Sequence, residues 1–286
     1  MIPSAFDYVA PTTVDDALSA LAEAGEDAKV LGGGQSLLPV LRLRLAAPST
    51  LVDLTRVSEL RGVRDEGDAV VVGAMTTHHD VTVDPLLAEH AALLVAATKT
   101  VADPQIRHRG TLGGGLVHAD PAGDLLAPAL ALDAEFVIAG PSGRRTVPAA
   151  EFFVDFFTTA VQPDELLVEV RIPKHTGWGA QYEKFNRVSQ AWSIVAVAAT
   201  VRAEGGTIAE AKVALTNMAA TPVRASGVEQ ALVGQPATVE TIRAAAEHAA
   251  EGTSPTSDGS ADADYREHLA RVLTGRALVT AAGVGG

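Results

Sequence analysis

Gln105-Ile106-Arg107-His108-Arg109-Gly110-Thr111-Leu112-Gly113-Gly114-Gly115-Leu116-Val117-His118-Ala119-Asp120-Pro121-Ala122-Gly123-Asp124-Leu125 carries three consecutive glycines behind an apolar residue. A second triplet lies 81 positions earlier, in Lys29-Val30-Leu31-Gly32-Gly33-Gly34-Gln35-Ser36-Leu37. Glycine triplets are costly inside a helix or strand, because each glycine loses the most backbone freedom on folding. They suit backbone that turns sharply, takes positive φ or approaches a ligand closely, and a phosphate held by backbone N–H groups is a common case. No Gly-Lys-Ser/Thr follows either triplet, which excludes a Walker-type loop. Leu37 and His118 stand where the dinucleotide fingerprint needs its third glycine. Two readings stay open: a pair of tight turns, or a grip on one long ligand that contains a diphosphate.

Outward from the first triplet, Thr12 or Thr13 caps a helix of Val14, Ala17, Leu18 and Leu21, which Gly25 stops. Lys29–Leu31 and Thr50–Leu54 read as strands, with an apolar stretch from Leu37 to Leu45 between them, so residues 1 to about 55 form a small α/β unit. Ala69–Ala74 is a strand paired with Leu60–Val63. Leu86–Val101 reads as one long helix and Asp124–Leu132 as another. Glu135–Ile138 and Arg144–Val147 flank the turn Gly140-Pro141-Ser142-Gly143, and Leu166–Ile172 is a strand. After Pro173 come three strands (Gln181–Phe185, Ser193–Arg202, Ile208–Leu215). Three helical stretches follow (Arg224–Leu232, Val239–Ala250, Tyr265–Ala282). Gly252–Asp262 reads as a mobile loop and Gly283–Gly286 as a disordered tail. The boundary between the two halves falls near 174–178.

The chain has 286 residues and a net charge of −13, which argues against nucleic acid or an anionic membrane surface as partner. No stretch approaches the ~18 uninterrupted apolar residues of a membrane span. The N-terminus lacks the basic and apolar regions of a signal peptide, so a cytoplasmic location is expected, with membrane association only through partners. There is no cysteine, hence no disulfide, thiol nucleophile or cysteine-ligated cluster in this chain.

Side chains with chemical potential each have a plainer alternative. His78-His79-Asp80 and His118-Ala119-Asp120 contain ligand types, but adjacent histidines point apart and no His-x-x-x-His pair occurs, so no metal is expected. Ser36 is outside any Gly-x-Ser-x-Gly elbow and suits a phosphate contact better. Asp124 reads as a helix cap or as a ribose ligand. Lys184 reads as an edge residue or a partner for a cofactor oxygen, and Trp192 as a core residue or a ring beside a planar cofactor.

The Gln105–Leu125 run closely resembles the flavin motif of the FAD-binding medium subunits of molybdenum hydroxylases, the xanthine dehydrogenase family. Gly32-Gly33-Gly34-Gln35-Ser36-Leu37-Leu38-Pro39 resembles their other flavin motif, and Trp192-Ser193-Ile194-Val195 their aromatic segment near the flavin. The likeness runs from Phe6 to about residue 280 and is greatest to the carbon monoxide dehydrogenase branch. It implies an α+β fold: a two-part FAD-binding domain of the vanillyl-alcohol-oxidase type over 1–175 (parts 1–57 and 58–175). A C-terminal α+β domain with a three-stranded antiparallel sheet would span 178–282. It implies FAD contacts from Gly32, Gly33, Gly34, Gln35, Ser36 and Leu37, from Thr111, Gly113, Gly114 and Gly115, and from Ala102, Asp124, Leu167, Lys184 and Trp192. The diphosphate would lie on the two glycine runs, Asp124 on the ribose side, and Leu167, Lys184 and Trp192 near the isoalloxazine.

The partners implied are a large molybdopterin subunit and a small subunit with two [2Fe-2S] clusters, arranged as a dimer of heterotrimers. This subunit would pass electrons to a quinone or other acceptor. The chemistry belongs to the flavin, so no catalytic residue is assigned in this chain. Gly115 departs from the Asn, Ser or Asp usual in the family, and Ala191 from the acidic residue usual before the aromatic. Related benzoyl-CoA-type reductases carry a cysteine-ligated cluster in this subunit, which the lack of cysteine excludes here. The alternatives are a subunit serving aldehyde, xanthine or N-heterocycle oxidation, a stand-alone FAD oxidase, and a non-catalytic nucleotide-binding module.

Overall fold

The computed structural model describes residues 2–285, which form three units, each built on its own sheet. The first unit comprises β1 (Asp7–Val9), α1 (Val14–Ala24), β2 (Ala28–Leu31), α2 (Leu37–Arg42) and β3 (Thr50–Asp53). Its three strands are parallel in the order β1-β3-β2. Thr13 caps α1 through Asp16 N at 3.1 Å, and Gly25 ends it with φ +75°. The sequence did not announce β1: its three residues are all exposed and have no alternating pattern.

The second unit contains β4 (Val63–Asp65), β5 (Ala69–Gly73), α3 (His78–Val83), α4 (Pro85–His90), α5 (Ala92–Lys99), α6 (Pro104–Arg107), α7 (Leu112–His118) and α8 (Leu126–Ala131). It continues with β6 (Glu135–Gly140), β7 (Gly143–Pro148), α9 (Ala149–Phe152), β8 (Phe153–Asp155), β9 (Thr158–Thr159) and β10 (Leu166–Pro173). Five of its strands form an antiparallel sheet in the order β4-β5-β10-β6-β7. Val70, Val72, Phe136, Ile138 and Val170 pack on the helices. On the other face, Val137, Ala139, Leu166 and Val168 pack with Val14, Ala17 and Leu21 of α1. That period-two alternation is why one sheet holds two cores.

Two expectations are corrected here. The single helix expected over Leu86–Val101 is two, broken at Ala91 (φ −140°, ψ 44°) and finished at Lys99. The break has a partner outside the helix: His175 N donates to the His90 carbonyl at 2.8 Å. The strand partner of Ala69–Gly73 is Val63–Asp65 instead of Leu60–Val63. Leu60 closes a 3-10 turn, and its carbonyl lies against Gly73, where an added Cβ would come within 2.3 Å.

The third unit contains β11 (Gly179–Phe185), β12 (Val195–Glu204), β13 (Thr207–Thr216), β14 (Val223–Arg224), α10 (Ser226–Leu232), α11 (Val239–Ala246) and α12 (Ala263–Ala281). Its antiparallel sheet has four strands in the order β11-β12-β13-β14, one more than expected. The fourth has two residues, too few for a periodic signal, and it displaces the expected helix start from Arg224 to Ser226. Central strand β12 is buried on both faces. Val195, Val197 and Ala199 face α10–α12, while Ala196 and Ala198 join the core of the second unit. Gly252–Asp262 is irregular, as its composition suggests, yet tied down by Ser254 N to Met218 O (2.8 Å) and by Asp258 to Arg266. In the tail, Val284 N reaches Val279 O at 3.1 Å, so Gly283–Gly285 is ordered against α12; Gly286 lies outside the described residues. Among the described residues no helix is long and apolar enough to cross a membrane.

Candidate flavin site

The two glycine runs meet backbone to backbone. A Cβ on Gly33 would fall 2.3 Å from Arg109 O and 2.5 Å from Gly110 Cα, and one on Gly32 would fall 3.2 Å from Thr111 Oγ1 and 3.9 Å from Gly114 Cα. At position 33 only glycine permits that approach, while at 32 a methyl would press on the Thr111 hydroxyl, and the two runs make one ledge. Behind it, Gly113 is pressed on Ala74, with virtual Cβ distances of 2.6 Å to Ala74 Cβ and 2.7 Å to its carbonyl.

The runs differ in what they leave free. In the second, Leu112 N donates to Thr76 O (2.9 Å), Gly113 N to Ala74 O (2.8 Å), Gly114 N to Thr111 Oγ1 (3.2 Å) and Gly115 N to Thr111 O (3.0 Å). In the first, the N–H groups of Gly33, Gly34, Gln35 and Ser36 find no acceptor among the described residues. Gly34 takes φ +75°, and successive N–H groups around a left-handed residue form a concavity for anions. Gln35 folds back, its Nε2 donating to Gly33 O at 2.8 Å, and the Ser36 hydroxyl makes no capping bond. Leu37, half-buried, opens α2. Four adjacent unpartnered donors, a free hydroxyl and a backbone without side chains are what a diphosphate needs, so the residues fit the FAD the resemblance implies.

Asp124 is 5% exposed and stands before α8, outside it. Its oxygens face three side chains of the third unit: Lys184 Nζ to Oδ2 at 2.7 Å, and Tyr182 OH and Ser193 Oγ to Oδ1, each at 2.9 Å. Lys184 also donates to Thr100 O at 3.3 Å, two residues from Ala102, a non-glycine with φ +39°. Burial pushes the Asp124 carboxyl above its ordinary value, against the opposing pull of Lys184, Tyr182 and Ser193. Burial and then the Asp124 charge hold the Tyr182 phenol well above its own.

The cluster therefore brings together Asp124, Lys184 and the neighbours of Ala102 and Trp192, while Trp192 itself is 55% exposed. Leu167 is apart from it, buried in β10 next to a bulge. There Val168 O takes Ala74 N at 2.9 Å, and Ala74 O takes Gly113 N, so the bulge supports the second run from behind. Sequence reasoning missed Tyr182, although Tyr182 and Lys184 are two apart on one strand and share a face. It also passed over His78 as anything but a doubtful ligand. The ring is buried between Gly110 and Gly115, with Cδ2 2.8 Å and Cε1 3.6 Å from their virtual Cβ atoms. Burial, aided by the Arg107 charge, lowers its pKa to about 4. No group of three or more possible metal ligands occurs among the described residues.

Residues 4–175 match the family of the FAD binding domain in molybdopterin dehydrogenase, and residues 180–281 match the CO dehydrogenase flavoprotein C-terminal domain. The chain thus belongs to the FAD-binding flavoprotein subunits of the molybdopterin dehydrogenases. It is similar to the carbon monoxide dehydrogenase medium chain of Hydrogenophaga pseudoflava, with 43% identity over 97% of both chains. It is 39% identical to that of Afipia carboxidovorans, again over 97% of both. A solved carbon monoxide dehydrogenase from Hydrogenophaga pseudoflava, which lacks the Mo-pyranopterin moiety of its molybdenum cofactor, superposes with a TM-score of 0.96 and 44% identity over 99% of each chain. The chain is an oxidoreductase subunit with an FAD-binding domain, and its α+β class agrees with the sequence expectation.

Proposed function

We propose that this chain carries electrons within a molybdenum-containing hydroxylase, and that the complex oxidises carbon monoxide. The supporting observation is the row of four unpartnered N–H groups at Gly33–Ser36, braced by the second glycine run. FAD, when bound, supplies the redox chemistry. Gly33, Gly34, Gln35 and Ser36 hold its diphosphate by their backbone N–H groups and the Ser36 hydroxyl, with Gly32 and Leu37 on either side of that row. Thr111, Gly113, Gly114 and Gly115 shape the ledge, with the Thr111 hydroxyl, already an acceptor for Gly114 N, able to donate outward. Ala102, Asp124, Leu167, Lys184 and Trp192 border the ribose and ring. In this arrangement the FAD part spans 1–175 and the C-terminal part 178–282, with the Asp124 cluster as their joint. The partners are a large molybdopterin subunit and a small subunit with two [2Fe-2S] clusters, in a cytoplasmic dimer of heterotrimers, and a quinone is the final acceptor.

The test is the visible spectrum of the natively purified protein, then heat release and chromatography of any bound nucleotide. FAD, two co-purifying partners, iron–sulfur absorbance and CO-dependent dye reduction are the expected result. FAD without partners would overturn the complex and leave a stand-alone flavoenzyme. A folded, colourless chain that takes up no FAD would overturn the site.

A further inference from the structure

Among the described residues the largest fully buried side chain is a charged one, Arg266 of α12. Its Nη2 donates to Asp258 Oδ2 at 2.7 Å, its Nη1 to Ile194 O, and its Nε has no partner. Burying a guanidinium is costly, and one half-exposed carboxylate offsets that cost only in part. The place where it acts is the peptide two residues after Trp192. The same carbonyl accepts a second donor, Asn217 Nδ2 at 3.2 Å, and Asn217 Nδ2 also reaches Ser193 O at 2.8 Å. Asn217, at φ +62°, donates its own N–H to Pro121 O (2.9 Å) just past the second glycine run. Ser193, whose carbonyl is one of the two clamped, also has its hydroxyl fixed on Asp124. The exposed Trp192 is thus carried on a backbone held from three directions: from α12 by Arg266, from the turn after β13 by Asn217, and from the second unit by Asp124.

We infer that Arg266 is a positioning residue for the flavin: with Asn217 it clamps the Ser193–Ile194 backbone and sets where the Trp192 ring stands. This rests on the proposed flavin site. Asp258, half-exposed at the rim, orients Arg266 in turn, and its Oδ1 caps the Gly259–Ala261 turn through Ser260 N and Ala261 N.

The test uses the full chain loaded with FAD in a Trp178→Phe background, which leaves Trp192 as the single tryptophan. Arg266→Met should raise acrylamide quenching of Trp192 about twofold and change the visible circular dichroism of the flavin, and Arg266→Lys should restore part of both. Asp258→Asn keeps the turn cap and should shift both readouts in the same direction by less. Asn217→Gly keeps the backbone freedom and should shift them as Arg266→Met does. Should Arg266→Met fail to fold, Asp258→Asn and Asn217→Gly carry the test. Unchanged quenching and dichroism in the folded variants, while Trp192→Ala alters the dichroism, would overturn the inference alone. If Trp192→Ala also leaves the bound flavin unaltered, the placement of Trp192 beside the ring is what fails.

Discussion

Gly33→Ala is the sharpest perturbation of the proposed site. The new methyl would sit 2.3 Å from Arg109 O and 2.5 Å from Gly110 Cα, and both neighbours are backbone. Ordinary contact begins near 3.4 Å, so the runs must separate by about 1 Å. The four N–H donors of Gly33–Ser36 move with the first run. A hydrogen bond to a charged group contributes about 1.5–3 kcal/mol. Misaligning one or two of the four then costs roughly 3 kcal/mol, or about 100-fold in FAD affinity. The assay is FAD titration of the apo-chain by flavin fluorescence, with circular dichroism as the check on folding. Gly67→Ala is the control: Gly67 also has positive φ (+80°), but nothing lies within 4 Å of its Cβ position. It should cost about 1 kcal/mol of stability and leave FAD affinity unchanged. A folded Gly33→Ala that binds FAD within threefold of the wild type would refute the ledge as the diphosphate site.

Acid should weaken the fold through His78. Its pKa is about 4 when folded and 6.5 when exposed, so the stability it contributes is full above pH 6.5 and is lost as pH falls towards 4. The loss is about 2 kcal/mol by pH 5, and about 3 kcal/mol in all. Urea unfolding at pH 7, 6 and 5 should show that slope in the wild type and not in His78→Gln. Asp124→Ala leaves the Lys184 ammonium buried without its carboxylate, at a cost of about 3–5 kcal/mol. Asp124→Ala with Lys184→Met should cost less than the sum of the two, as read by a double-mutant cycle of unfolding energies. Gly179→Ala should abolish soluble, folded protein, because its methyl would fall 1.7 Å from Ala281 O where α12 meets β11; a cooperative melt near the wild-type temperature would contradict that packing.

What the sequence disclosed and what it withheld follow from the range over which each feature is set. The α1 cap, the hairpin around Gly140–Gly143 and the glycine runs are decided within a few residues, and each was legible. The same locality made the flavin motif recognisable by its wording. The break at Ala91 and the strand Val223–Arg224 were not legible, because each exists for a partner elsewhere: His175 takes the His90 carbonyl, and Ala214 and Leu215 pair with the short strand. Asp124 shows the limit best. A local reading offers a helix cap, and resemblance offers a ribose ligand. In the folded chain Asp124 caps no helix: both oxygens face donors 58 to 69 positions away, so the residue couples the segment after the second glycine run to the strand of Lys184 and the loop of Trp192. That coupling has a consequence for any flavin held there. A change in the third unit, such as at Tyr182 or Asn217, reaches the ledge through one buried carboxylate and one clamped peptide. Mutations that touch no cofactor atom should therefore alter flavin properties more than substitutions at the solvent-exposed end of the large sheet, where Arg64 and Arg171 both pair with Glu66.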